Sequence, residues 1–142
     1  MLVAFHLPRK PRSSNASVNP KYMQAIREAA QKHYTGDLTL EALYSRIIWF
    51  HKYKTSEGDT DNIAKRIHDA IKDVVFADDR VITHTMAVRV DATEAIEIVP
   101  DPDYPSAAVD LVQSLSDPVI RDILYIELGI QTESKIRLGP IT

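Results

Sequence analysis

The chain has 142 residues, of which 44% are hydrophobic and 26% are charged, and this composition is typical of one globular domain. It contains no cysteine, which excludes disulfides, thiolate metal sites, iron–sulfur clusters and cysteine nucleophiles. No apolar run approaches the roughly 20 residues of a membrane span, so the expected location is the cytoplasm. Residues 1–54 carry nine Lys and Arg against three Asp and Glu, whereas residues 91–142 carry three against ten.

The first half of the sequence predicts a strand, a helix and a second strand. Residues 1–7 are β-branched or aromatic enough for a strand. Asn19 followed by Pro20 is typical of a helix start, because Asn caps the first turn and Pro suits the first helical position. Apolar spacing continues this helix to about Tyr34. Residues 38–51 predict a long strand whose second half is apolar on both faces, as expected for a central strand.

The second half predicts a helix over 61–73, a strand over 81–90 and a short returning strand over 95–99. Two short helices are then expected over 106–115 and 118–128, the second beginning with a proline after an aspartate. This order of elements predicts an α+β fold around a mixed or antiparallel sheet of about four strands. The two main helices pack on that sheet, and a short helical extension follows.

The acidic, proline-containing stretch 101–105 indicates a boundary. We therefore expect a core over 1–100 and an acidic C-terminal extension over 101–142 that packs on the same domain. The net charge of this extension suits a surface for a protein partner.

Acidic residues concentrate where the predicted second helix begins. Asp59 and Asp61 lie two positions apart, so in an extended segment their side chains point the same way. Asp61, Lys65 and Asp69 follow at helical spacing and predict one polar stripe. Such residues also form ordinary ion pairs and helix caps, so this spacing alone leaves a structural interpretation open.

Asp78 and Asp79 bring two more carboxylates to the start of the next predicted strand. Carboxylates crowded together repel one another unless a cation lies between them. Carboxylate oxygens without His or Cys ligands favour hard ions, so Mg²⁺, with Mn²⁺ as a substitute, is the expected cofactor. A divalent ion and one nearby lysine can together hydrolyse a phosphodiester.

The strings DTDNIAKRIHDAI at 59–71 and FADDRVI at 76–82 closely resemble the signature of the RusA-type Holliday junction resolvases. These are dimeric, Mg²⁺-dependent endodeoxyribonucleases of phage and prophage origin. The resemblance implies metal-binding catalytic roles for Asp59, Asp61 and Asp79, with Asp78 completing the acidic pair, and a catalytic role for Lys65. Asn62 and Asp69 also stand in register with the signature, as supporting positions.

The function implied is cleavage of branched DNA, above all Holliday junctions, by a homodimer in DNA recombination and repair. Trp49 and Phe50 are candidate interface residues. Five cations are expected to form a track for DNA phosphates: Arg9, Lys10, Arg12, Lys52 and Lys54. Two alternatives remain open: a catalytically silent DNA-binding or regulatory protein with this fold, and a nuclease for flaps, forks or RNA hybrids.

Overall fold

The computed structural model describes residues 1–13, 19–53, 60, 62–132 and 136–140. Within these ranges the strands are β1 (Val3–Leu7), β2 (Leu43–His51), β3 (Ile82–Asp91) and β4 (Asp122–Ile130). The helices are α1 (Pro20–His33), α2 (Ala64–Ile71) and α3 (Pro105–Ser116), and a 3-10 turn covers Asp79–Val81. The predicted α+β class with a four-stranded mixed sheet is confirmed. Among the described residues, no helix has the length and apolar character needed to cross a membrane.

The four strands form one sheet in the order β1-β4-β2-β3. β2 pairs with β3 in parallel, and β4 pairs antiparallel with both β1 and β2. β4 therefore runs opposite to the other three strands. β2 and β4 occupy the centre, which confirms the central strand predicted from the apolar second half of β2.

One face of the sheet is covered by α1 and α2, and the main core lies between these layers. α1 begins where the sequence predicts, because the Asn19 side chain accepts a hydrogen bond from the Tyr22 N–H at 3.1 Å and Pro20 stands in the first turn. Ile26 and Ala30 continue its buried stripe toward the sheet. β2 and the loop after α2 contribute the fully buried Ile47 and Phe76 to the same core.

The opposite face carries a smaller cluster under α3. Phe50 of β2, Ile123 and Tyr125 of β4, and Leu111 of α3 form it. Ile98, from the segment that follows β3, packs against this cluster. The chain after β3 therefore returns across the second face before it enters α3.

Two predicted strands differ from the structure. The strand predicted over 38–51 begins only at Leu43, and before it Thr39 makes an isolated bridge to Phe76. Leu38 and Leu40 are 42% and 86% exposed, so their apolar alternation does not face a core. The short strand predicted over 95–99 is absent from the described residues there, since Ile98 is held by side-chain packing rather than by a strand ladder.

The helix predicted over 118–128 is wrong, because this segment enters β4 at the centre of the sheet. Asp117 therefore does not begin a helix, and it is instead the C-terminal cap of α3. Its carboxylate accepts the Val119 N–H at 2.9 Å, which closes a local turn before the strand. β4 is buried on both faces, so its mostly apolar sequence lacks the alternation of polar and apolar residues that would distinguish a strand from a helix.

The division of the chain at residue 100 stays a prediction. The structure shows that the segment after it supplies α3 and the central strand β4. β4 pairs with β1 and β2 inside the sheet, and α3 packs on one face of it.

The ends of α2 and β3 also differ from the sequence prediction. The helix expected over 61–73 covers Ala64–Ile71 in the structure, and Asp61 lies outside the described residues. At its C-terminal end Asp73 adopts a left-handed backbone with φ of 65°. In β3, simple alternation would place Ile82 on the face of Met86 and Val88, but a bulge beside Leu43 turns Ile82 to the main core.

Candidate active site and nucleic-acid surface

The polar side of α2 carries Lys65 and Asp69, one turn apart, while Ile67 and Ile71 on its other side are fully buried. The Lys65 Nζ lies 3.4 Å from the Asp69 carboxylate. Their side chains are 71% and 38% exposed, so this pair contributes only a few tenths of a kcal/mol. Lys65 is therefore held only weakly by Asp69.

Asp78 and Asp79 lie at the short turn that leads into β3, but their surroundings differ. Asp78 accepts the Arg80 N–H at 2.9 Å and the Arg80 Nε at 3.0 Å. These hydrogen bonds, the backbone one first, hold the pKa of the Asp78 carboxyl below its usual value. Both carboxylate oxygens of Asp78 are therefore hydrogen-bonded within the turn. Among the described residues, no hydrogen bond or ion pair holds the Asp79 carboxylate.

His68 lies on α2 between these acidic groups and joins the helix to the sheet. Its Nε2 is 2.7 Å from the Ser45 Oγ of β2, and the residue is 8% exposed. Burial lowers the pKa of His68 to about 4, although the carboxylates of Asp79 and Asp69 act in the opposite direction. His68 is therefore neutral at pH 7, and its two acidic neighbours both lie close enough to influence it.

In the sequence, His68 stands next to Asp69 of the predicted polar stripe, and the structure buries it. The hydrogen bond to Ser45 was not foreseen. Ser45 lies 23 positions earlier in the chain, inside an apolar strand. No local spacing connects the two residues, so only their packing could have revealed the pair.

Several predicted site residues lie outside the described part of the chain: Asp59, Asp61 and Lys54. Asn62 is described, and it is half-buried just before α2. Among the residues that the structure does describe, no three His, Asp or Glu side chains converge to hold a metal ion. Asp69, Asp78 and Asp79 therefore do not form a complete metal centre by themselves. The ligand set predicted for the ion, which includes Asp59 and Asp61, stays a prediction.

The described cations of the predicted phosphate track have different surroundings. The Lys52 Nζ donates hydrogen bonds to the backbone oxygens of Ser114 at 3.3 Å and Asp117 at 2.6 Å. It therefore neutralises the carbonyl end of α3. Arg9 and Arg12 are exposed, and the Lys10 Nζ lies 5.6 Å from the centre of the Trp49 ring.

A comparison with known protein families shows to which family the chain belongs. The sequence model of the family Endodeoxyribonuclease RusA matches residues 5–99. The chain belongs to the RusA endodeoxyribonuclease family. This confirms the predicted resemblance and indicates a DNA endonuclease. The match extends from β1 through β3, so α3 and β4 lie beyond it. No curated protein matches the chain.

Proposed function

We propose that this RusA-family protein is a Mg²⁺-dependent endonuclease that cleaves Holliday junctions during DNA recombination and repair. The observation that carries the proposal is the family match over residues 5–99. That range includes the acidic positions at 59, 61 and 79 and the lysine at 65, which are the groups needed for phosphodiester hydrolysis.

The residues fit a hard divalent ion by the chemistry of their donors. Asp59, Asp61 and Asp79 supply carboxylate oxygens, and the chain has no cysteine to favour a softer metal. A bound Mg²⁺ would neutralise phosphate charge and lower the pKa of a coordinated water. Asp78 is the weaker fourth candidate, because Arg80 already engages its carboxylate.

Lys65 is proposed to stabilise the charge that develops on the scissile phosphate. Its side chain is 71% exposed, and its ion pair with Asp69 is weak enough to be exchanged for a phosphate oxygen. Asp69 would then keep the ammonium group directed toward the acidic side of α2 in the free protein. His68, neutral and bonded to Ser45, fixes that side of α2 on the sheet.

A Holliday junction has two-fold symmetry, and its resolution requires two symmetrically placed cuts. Two active sites related by the same symmetry satisfy this need, so we propose that the protein acts as a homodimer. Each protomer would contribute one set of catalytic carboxylates and one Lys65.

The test is a cleavage panel of four-way junctions, flaps, forks and linear duplexes, with Mg²⁺ or with a chelator. We expect paired cuts in the four-way junction that require Mg²⁺, and a loss of at least 100-fold in the Asp61→Asn and Asp79→Asn variants. Asp103→Asn, which changes an exposed aspartate in the turn before α3, is the matched control and should cut normally.

Metal binding measured by calorimetry gives an independent readout. The wild-type protein should bind Mg²⁺ or Mn²⁺ and the double variant Asp59→Asn/Asp61→Asn should not. A protein that binds DNA but neither binds the ion nor cuts any substrate would refute the nuclease proposal and support a silent DNA-binding role.

A further inference from the structure

A cavity of about 590 Å³ follows the outer edge of β1. Residues 1–6 all line it, although successive side chains of a strand point to opposite faces of the sheet. A cavity can contact both sets only where it runs along the backbone at the edge of the strand. Its other walls are His33 at the end of α1 and one side of α3, which carries Ala107, Asp110 and Ser114. We call this cavity between an edge strand and a helix the edge groove.

The backbone on this side of β1 pairs with no strand of the described chain. β1 stands at the end of the sheet and its only strand partner there is β4. Because pairing groups alternate along a strand, every second residue of β1 directs its N–H and C=O toward the groove. Edge strands that stay unpaired usually carry a lysine, a proline or a bulge. β1 is the uncharged sequence Val-Ala-Phe-His-Leu in regular register with β4, so it favours pairing with a further extended chain.

The helix wall of the edge groove is fixed in place before any partner binds. The His6 Nε2 lies 2.8 Å from the Ser114 Oγ, and this hydrogen bond ties β1 to α3. Leu111, one turn earlier in α3, is buried in the cluster on the second face of the sheet. Burial lowers the pKa of His6 and outweighs the opposing effect of Asp110, so His6 is uncharged at pH 7. A groove formed in advance reduces the ordering cost of binding.

The charge of the edge groove indicates what kind of segment it accepts. Among the described residues that line it, none is a lysine or an arginine, whereas Asp110 and Asp117 both line it. The Asp117 carboxylate accepts the Val119 N–H. The Asp110 carboxylate is exposed and makes no hydrogen bond or ion pair with another described residue. A segment that enters the groove is therefore stabilised by a cation placed near Asp110.

We infer that the edge groove binds an extended protein segment that carries a lysine or arginine, as an additional strand beside β1. In strand addition, main-chain hydrogen bonds give affinity and the side-chain surroundings give specificity. The free backbone groups of β1 require an extended polypeptide, and the carboxylates of α3 require a cation on it. α3 lies beyond the family match, so the groove is a feature of this chain and not of the matched region. The acidic extension, expected from its charge to offer a surface to a protein partner, supplies the helix wall.

Fluorescence polarisation with a labelled synthetic peptide of alternating valine and threonine around one central lysine tests the inference. We expect this lysine peptide to bind, and an analogue with glutamate in place of lysine to bind about fivefold more weakly. Two further analogues carry N-methyl groups on alternate amides, each in one of the two registers. An added strand directs only one set of its amides toward β1, so one analogue should lose about tenfold or more in affinity and the other should bind normally. Equal affinity of both methylated analogues, or no binding of the lysine peptide, overturns the inference.

Variants of the protein test the charge of the groove. Asp110→Asn should bind the lysine and glutamate peptides about equally, and Asp110→Lys should bind the glutamate peptide more tightly than the lysine peptide. Glu94→Gln is the matched control, because it removes an exposed carboxylate after β3, the other edge strand, and should leave both affinities unchanged. Urea unfolding shows whether each variant is folded. If the preference for the lysine peptide is the same in folded Asp110→Asn and in wild type, the role of Asp110 is refuted.

Amide hydrogen exchange locates the bound peptide. The lysine peptide should slow exchange in β1 and leave β3 unchanged, and protection of β3 alone would overturn the inference. Sedimentation with and without peptide detects the other occupant of such an edge. A dimer that dissociates as the peptide binds would show that β1 pairs with a second copy of the chain and would overturn a separate partner. The inference does not depend on the nuclease, so a protein that binds the peptide at β1 but cuts no DNA supports the groove and refutes the proposed function.

Discussion

The buried pair of His68 and Ser45 predicts that the protein loses stability as the pH falls, and that His68 causes a defined part of this loss. The pKa of His68 is about 4 in the folded protein and 6.5 for a free histidine. Between these values the unfolded chain binds a proton that the folded protein does not bind. Stability due to this group is therefore complete above pH 6.5 and is lost progressively as the pH falls toward 4.

The magnitude follows from the two pKa values. Between pH 7.5 and pH 5 the linkage relation gives a loss of about 2 kcal/mol from His68 alone. The variant His68→Gln keeps a polar side chain but cannot titrate. We expect it to be less stable than wild type at pH 7.5 by about 1 kcal/mol, since its hydrogen bond to Ser45 is poorer. Its further loss down to pH 5 should be about 2 kcal/mol smaller than that of the wild type.

Urea unfolding in EDTA, followed by Trp49 emission and circular dichroism, measures both quantities. His84→Gln, which replaces an exposed histidine of β3, is the matched control for the substitution itself. If wild type and His68→Gln lose the same free energy of unfolding between pH 7.5 and pH 5, the argument from burial of His68 is refuted.

Three further predictions concern the fold. A chain ending at residue 100 lacks β4, which lies between β1 and β2, so it should not unfold cooperatively in a thermal melt; a sharp transition would contradict this. Gly129→Ala places a methyl group against the Tyr44 ring and disturbs its 2.6 Å hydrogen bond to Glu127, so the free energy of unfolding should fall by about 1–3 kcal/mol in urea titrations. Asn19→Ala removes the cap of α1 and should cost about 1 kcal/mol by the same assay, while Asn19→Ser should retain most of it.

The sequence was sufficient to predict a structural feature wherever the residues that determine the feature lie close together in the chain. Asn19 and Pro20 set the start of α1, because capping and the fixed φ of proline act within one turn. The spacing of Lys65 and Asp69 placed both on the exposed side of α2, because residues one helical turn apart lie on the same face. The family signature over 59–82 was readable because its chemistry lies in short, closely spaced strings.

Other features depended on partners far away in the chain. Lys52, expected at a phosphate track, donates to the end of α3 more than sixty residues later. Trp49 and Arg89 lie forty residues apart and meet because β2 and β3 pair in parallel. Neither contact has a signature in the residues around it, since strand pairing fixes the neighbours of a side chain only after the sheet forms.

The sequence by itself identified the family, through carboxylates and a lysine in the spacing of the RusA signature, and it predicted α1, whose cap and apolar stripe are local. The tertiary structure alone decided that the segment after residue 121 becomes the central strand β4 and that His68 is buried against Ser45. The physical reason is that a mostly apolar segment without a clear period takes its conformation from the elements around it. Pairing with β1 and β2 satisfies the backbone hydrogen bonds of β4. A helix in the same place would leave these two strands without a partner between them.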